Sequence, residues 1–159
     1  MKLFLMRHAQ AQEAKDQNDV DRELTEVGII EASHAAESLQ QYQIDKIIVS
    51  YARRTQQTSE IVNAKVKCHK LEILPELYAS RQEKILEIIS MQDDIDKNIL
   101  VIAHNPGIFK TALQLVDNNS DEYDMLLEHG MPTANIIILD FSDATKWLDV
   151  VKGHGKVLS

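Results

Sequence analysis

The chain holds a single cysteine, Cys68. One thiol excludes an internal disulfide framework and fits a reducing compartment. Basic residues are in deficit, with 17 Lys and Arg against 25 Asp and Glu and a net charge of −8. That balance favours solubility and argues against nucleic acid or an anionic membrane as the main partner. No apolar run approaches the roughly 18 residues of a membrane span. The N-terminal run is too short for the hydrophobic region of a signal peptide, and Arg7 interrupts it with charge. The expectation is a soluble, cytoplasmic protein. Internal repeats, low-complexity tracts and interdomain linkers are missing as well. Residues 1–159 therefore read as one domain, long enough to bury a core, with a tail that looks flexible after about residue 152.

The familiar nucleotide and metal devices are also missing. There is no Gly-x-x-x-x-Gly-Lys-Ser/Thr loop, no Gly-x-Gly-x-x-Gly after a strand, and no zinc-type spacing of Cys and His. What is present is a series of short apolar runs that stop abruptly. The first, Lys2 to Met6, ends in Arg7-His8; Ile44 to Val49 ends in Ser50, with Arg53-Arg54 close behind; Asn98 to Ala103 ends in His104. Runs of this length and β-branched content read as buried strands. A weaker strand spans Lys67 to Ile73, followed by Leu74-Pro75-Glu76-Leu77, where Pro75 marks a loop. Cys68 beside it reads as a small packed side chain.

Helical patterns alternate with these strands. Thr25 is placed to cap a helix reaching about Tyr42, with Val27, Ile30, Ala35 and Leu39 as its apolar stripe. Another begins at Arg53-Arg54, whose charges oppose the positive end of the helix dipole unless an anion sits there. Gln82 to Met91 is amphipathic. Pro106 opens a helix through Phe109, Leu113 and Val116 with Asn105 as its cap, and a last helix from about Ser120 stops at His129-Gly130. Ala134 to Phe141 is a further strand, and Trp147 to Val151 is expected to return as its antiparallel hairpin partner. The fold class expected is α/β: a three-layer α/β/α domain with a mostly parallel sheet and an antiparallel edge strand.

If the strands are parallel neighbours, Arg7, His8, Arg54 and His104 meet at the carboxyl edge of the sheet, where open α/β sheets bind ligands. Arginines, histidines and a helix N-terminus suit a doubly charged phosphate. Phosphate bound by side chains, without nucleotide or metal, points to phosphoryl chemistry with a histidine nucleophile.

Several segments, in order, resemble the histidine phosphatase superfamily, the phosphoglycerate mutase-like group, and within it the short SixA-type phosphohistidine phosphatases. Leu5-Met6-Arg7-His8-Ala9 is similar to the Arg-His-Gly signature, with alanine for glycine. Arg22-Glu23-Leu24-Thr25-Glu26-Val27-Gly28 is similar to Arg-Pro-Leu-Thr-x-x-Gly. Ser50 to Thr58 is similar to Ser-Pro-x-x-Arg-Ala-x-Gln-Thr, with Tyr51 for the proline and Arg54 aligned on the catalytic arginine. Val101 to Gly107 is similar to the second histidine motif, and Met131-Pro132-Thr133-Ala134 to a Pro-Thr-Ala/Gly segment.

The resemblance implies roles. His8 attacks phosphorus and is transiently phosphorylated, while Arg7, Arg54 and His104 hold the phosphoryl oxygens. His8 must then be neutral and His104 is expected protonated, the two tuned in opposite directions. Asn105 joins the phosphate-binding candidates, and Glu76 is the nearest candidate for a proton donor. No cofactor and no metal are expected. The substrate implied is a phosphorylated protein, a histidine-phosphotransfer domain; the alternatives are a small phosphate monoester on the same scaffold and a non-catalytic phosphate-binding module.

Overall fold

The computed structural model describes residues 1–14, 18–150 and 153–158. Its first apolar run forms strand β1 (Lys2–Arg7), with Leu3, Phe4, Leu5 and Met6 fully buried. A strand buried on both faces needs apolar side chains at every position, which is why this run carries no polar alternation. The same holds for β2 (Lys46–Ser50) and β4 (Asn98–Ala103). With β3 (Leu71–Leu74), β5 (Ile136–Asp140) and β6 (Lys156–Leu158) they form one six-stranded sheet in the order β3-β2-β4-β1-β5-β6. β3, β2, β4 and β1 are mutually parallel; β5 runs antiparallel to β1, and β6 antiparallel to β5.

Side-chain alternation divides the core between the two faces of the sheet. Leu3 and Leu5 pack with Ile85 and Ile89 of α3 (Gln82–Ser90) and Ile108, Ala112 and Leu115 of α4 (Gly107–Leu115). Phe4 and Met6 pack with Ala35, Ala36 and Leu39 of α1 (Glu26–Leu39) and Val62 of α2 (Arg53–Val66). A fifth helix, α5 (Asp121–His129), adds Leu126 to the first cluster and ends at Gly130, where φ is +64°. Each fully buried large apolar side chain is worth about 1.5–3 kcal/mol, so the central strands hold the sheet ends in place. Among the described residues, no helix is long and apolar enough to cross a membrane.

Four local expectations need correction. The buried face of α1 is Gly28, Ala32, Ala35, Ala36 and Leu39, while Val27 and Ile30 are 51% and 56% exposed. Small residues let this helix lie close to its neighbours, and the larger ones turn outward. Asn105 does not cap α4: Pro106 holds the cap position, and the Asn105 side-chain amide donates to the Met131 carbonyl at 2.9 Å. Trp147 opens a 3-10 turn, Trp147–Asp149, instead of a hairpin strand. Its ring is fully buried, its indole N–H donates to the Asp96 carbonyl at 2.7 Å, and its backbone N–H to Asp94 at 2.8 Å, which ties the segment to the connection before β4. Val151, the far end of the expected strand, lies outside the described residues. The partner of β5 is instead β6, drawn from the segment read as a flexible tail. Cys68 is free, buried, and donates to the Lys70 carbonyl, in keeping with a packing role.

Two glycines set how closely the site loops approach. A Cβ on Gly28 would meet the Gln10 carbonyl oxygen at 2.0 Å, and one on Gly107 would meet that of Ser80 at 2.1 Å. Gly28→Ala should therefore cost about 1–3 kcal/mol of stability, read as a lower urea midpoint at unchanged slope. An unchanged midpoint would show that the loop after His8 yields freely.

Candidate active site

The parallel register places Arg7 opposite Ala103, and Val49 opposite Ile102. The residues that follow β1, β4 and β2 therefore leave the sheet side by side. The His8 and His104 rings lie 5.1 Å apart, edge to face. Arg54, in the first turn of α2, reaches both: its Nε–H donates to His8 Nε2 at 3.3 Å and its Nη2 to His104 Nδ1 at 3.4 Å. Thr58, one turn on, accepts from the Ala9 backbone N–H at 3.2 Å and donates to the Arg54 carbonyl at 2.7 Å. Helix α2 is thus stitched to the loop that carries the first histidine.

His8 Nδ1 lies 2.8 Å from the Ala9 carbonyl. A carbonyl only accepts, so Nδ1 carries the proton and Nε2 keeps its lone pair toward Arg54. Burial lowers the His8 pKa to about 4; the Ala9 carbonyl opposes this, and the charges of Arg54, Arg7 and Arg22 reinforce it. His104 is lowered to about 3 by burial, then by His8 and Arg54, with Asp19 opposing. Its Nε2 lies 2.7 Å from Ser50 Oγ. Since Arg54 donates into Nδ1, Nε2 carries the hydrogen and donates to the serine. The expected opposite tuning of the two histidines is not what this site shows: burial among guanidinium groups holds both neutral.

Arg7 donates through Nη1 to the Met131 carbonyl at 3.0 Å. Among the described residues its Nε is the buried side-chain nitrogen without a hydrogen-bond partner. Burial lowers the pKa of this guanidinium, and Glu31 opposes the shift. A buried, charged, uncommitted N–H is a donor suited to an anion.

Two candidates stand apart. Asn105 is exposed, with its amide committed to Met131. Glu76 is exposed on the 3-10 turn Pro75–Leu77. The residue that the end of β3 delivers to the site is Tyr78, whose ring stacks edge-on against His104 at 5.6 Å. Its hydroxyl donates to Asp19 Oδ2 at 2.6 Å. Asp19 also accepts from Arg54 Nη2 at 2.9 Å and Arg22 Nη1 at 2.8 Å. The Tyr78, Arg22 and Arg54 hydrogen bonds hold its carboxyl well below the usual carboxylate range. Sequence reasoning missed both residues. Arg7, Ser50 and His104 lie at or directly after strand ends, whereas Tyr78 comes only after β3 and the turn Pro75–Leu77, and Asp19 sits in a polar loop, so neither carries that signal. No group of three or more His, Cys, Asp or Glu that could hold a metal occurs among the described residues.

Comparison with known proteins adds a family. The model of the histidine phosphatase superfamily (branch 1) matches residues 3–87, which include Arg7, His8 and Arg54. No curated protein matches the chain. Among solved structures, a protein from Nakamurella multipartitia provisionally assigned as phosphohistidine phosphatase SixA is 26% identical, covering 99% of this chain and 93% of its own, with a TM-score of 0.87. A protein of the same provisional assignment from Agrobacterium tumefaciens is 29% identical, covering 87% and 90%, with a TM-score of 0.80. The protein histidine phosphatase SixA in complex with tungstate shares the fold, at 22% identity over 100% and 95% and a TM-score of 0.78.

The pKa shifts carry a consequence for stability. Both histidines bind protons more weakly folded than unfolded, so folding opposes protonation and stability is lost as pH falls from about 6.5 through about 4 for His8 and about 3 for His104. Urea midpoints of the wild type should drop across that window, and a His8→Gln/His104→Gln variant should show a shallower drop. Imidazole 15N spectra at pH 6 should show His8 uncharged with Nδ1 protonated; a charged ring would contradict the assignment.

Proposed function

This chain belongs to the histidine phosphatase superfamily, branch 1, and from that premise we propose that it is a phosphohistidine protein phosphatase acting on a histidine-phosphotransfer domain. The observation that carries the reading is the His8 tautomer: Nδ1–H is tied to the Ala9 carbonyl, and the Nε2 lone pair is turned into the site beside Arg54. A module that only bound phosphate would have no use for a nucleophilic lone pair held among cations.

In the reading proposed, His8 Nε2 forms a bond to phosphorus as the substrate's P–N bond breaks, and the departing imidazole takes up a proton. Water then attacks the phosphorylated His8 and inorganic phosphate leaves. The Arg7 Nε–H and the Arg54 guanidinium are the donors for the phosphoryl oxygens, with His104 beside them. Their charge fills the role a metal ion would otherwise take, so the reaction proposed is metal-independent. A phosphorelay substrate also implies a cytoplasmic location.

The carboxyl groups near the site support a phosphoramidate over an ester. Asp19 is held ionised and Glu76 is turned to solvent. Neither is a ready acid for an alkoxide, whereas imidazole is protonated near neutral pH. A panel of phosphorylated histidine-phosphotransfer domains, assayed beside simple phosphate esters, tests the reading, and preference for the esters would move it to a small-molecule phosphomonoesterase.

His8→Ala should abolish turnover, and Arg54→Ala should lower kcat by about 10²–10³-fold. Activity should survive EDTA and be inhibited competitively by vanadate or tungstate; loss on chelation, restored by a divalent ion, would indicate a metallophosphatase. Glu76→Gln should leave turnover of phosphohistidine and of an ester unchanged. A severe loss on phosphohistidine would contradict the leaving-group argument.

A further inference from the structure

The Arg54 guanidinium has two usable edges, and they face different partners. The edge formed by Nε and Nη2 points at the two histidine nitrogens, at 3.3 and 3.4 Å. The edge formed by Nη1 and Nη2 points at Asp19, with Nη1 donating to its backbone carbonyl at 2.6 Å and Nη2 to its carboxylate at 2.9 Å. The Arg54 side chain is only 7% exposed, so its plane is set by these contacts and not by solvent. The carboxylate is itself fixed from three sides by Arg54, Arg22 and Tyr78.

The geometry points to Asp19 as a positioning residue for phosphoryl transfer. It clamps the outer edge of Arg54, so that the inner edge is presented to the space between His8 Nε2 and His104. Tyr78 completes the clamp by anchoring the Asp19 carboxylate while its ring packs on His104. An arginine held along one edge keeps the parallel N–H pair of the other edge available for two oxygens of one phosphoryl group. This rests on the phosphatase reading, because the reacting group it serves is the phosphoryl group proposed above.

A double-mutant cycle with an independent spectroscopic readout tests it. Asp19→Ala should lower kcat by about ten- to hundredfold, the range expected when a reacting contact is misplaced, with KM changing far less. In an Arg54→Ala background the same substitution should add almost nothing, since Asp19 acts through that arginine. Tyr78→Phe should lower kcat in the same direction and by less. The Arg54 Nε–H resonance, followed by 15N NMR, should be sharp and slowly exchanging in the wild type and lost in Asp19→Ala. A rise in kcat/KM in Asp19→Ala would mark the carboxylate as a competitor for the anion and overturn the inference. So would an equal loss in both backgrounds, or a retained Arg54 resonance. If the resonance behaves as expected but the wild type turns over no phosphorylated substrate, the clamp stands and the phosphatase reading falls.

Discussion

A nucleophilic imidazole must stay uncharged while it sits among the cations that hold its target. That constraint governs the site. Guanidinium groups and burial both disfavour the imidazolium, so in the mechanism proposed the groups that would bind the phosphoryl anion also keep the His8 ring neutral. The Ala9 carbonyl acts against them by favouring the charged ring, yet it fixes which nitrogen carries the proton. Its contribution is orientation, and the arginines and burial supply the charge state.

Delivering these groups to one place is the task of the sheet. Parallel pairing of β1 with β4 and of β4 with β2 brings three chain segments to one edge in register. The loops are then tied to one another more than to the strands. Glu31 on α1 accepts from the Gln10 backbone N–H at 2.8 Å and from the Thr133 hydroxyl at 3.0 Å. It thereby joins the loop after His8 to the segment whose Met131 carbonyl receives Arg7. Across the site, Gln57 accepts from the Leu24 N–H at 2.8 Å, linking α2 to the same loop. These side-chain bonds tie the loops around the site to one another.

What could be read from the sequence follows from how local each signal is. β1, β2 and β4 are buried on both faces, so their apolar runs end where the charged residues begin, and Arg7, Ser50 and His104 could be placed at strand ends. Ala35 and Leu39 were placed on the buried face of α1, but Gly28, Ala32 and Ala36 were missed because they carry little hydrophobic signal, while Val27 and Ile30 carry more and face outward. Trp147 and β6 were missed for a different reason. The buried indole donates to the Asp96 carbonyl and the Trp147 backbone N–H to Asp94, both distant in sequence, and Lys156–Leu158 is a three-residue edge strand whose partner is β5. Asp19 falls in the same class, since only the assembled site brings Arg22, Arg54 and Tyr78 around its carboxylate.

The tuning of His104 shows how charge state depends on what the site holds. Resemblance alone led to a protonated second histidine, a third positive group for the phosphoryl oxygens. In this structure the nearest cation donates into its Nδ1, Nε2 gives its hydrogen to Ser50, and burial completes the shift toward the neutral ring. A phosphoryl dianion brought between Arg54 and the histidines reverses the sign of that local field, and an opposite charge a few ångströms away raises the pKa of any cationic acid beside it. His8 and His104 would not respond alike. In the mechanism proposed, bond formation to phosphorus would consume the Nε2 lone pair of His8, whereas Nδ1 of His104 would lose its donor if Arg54 turned that hydrogen to an oxygen. His104 would then be the ring able to accept a proton. In the mechanism proposed, the opposite tuning expected from the family would belong to the occupied site; without the anion both shifts carry the same sign, because burial and Arg54 outweigh the opposing Asp19 carboxylate at His104.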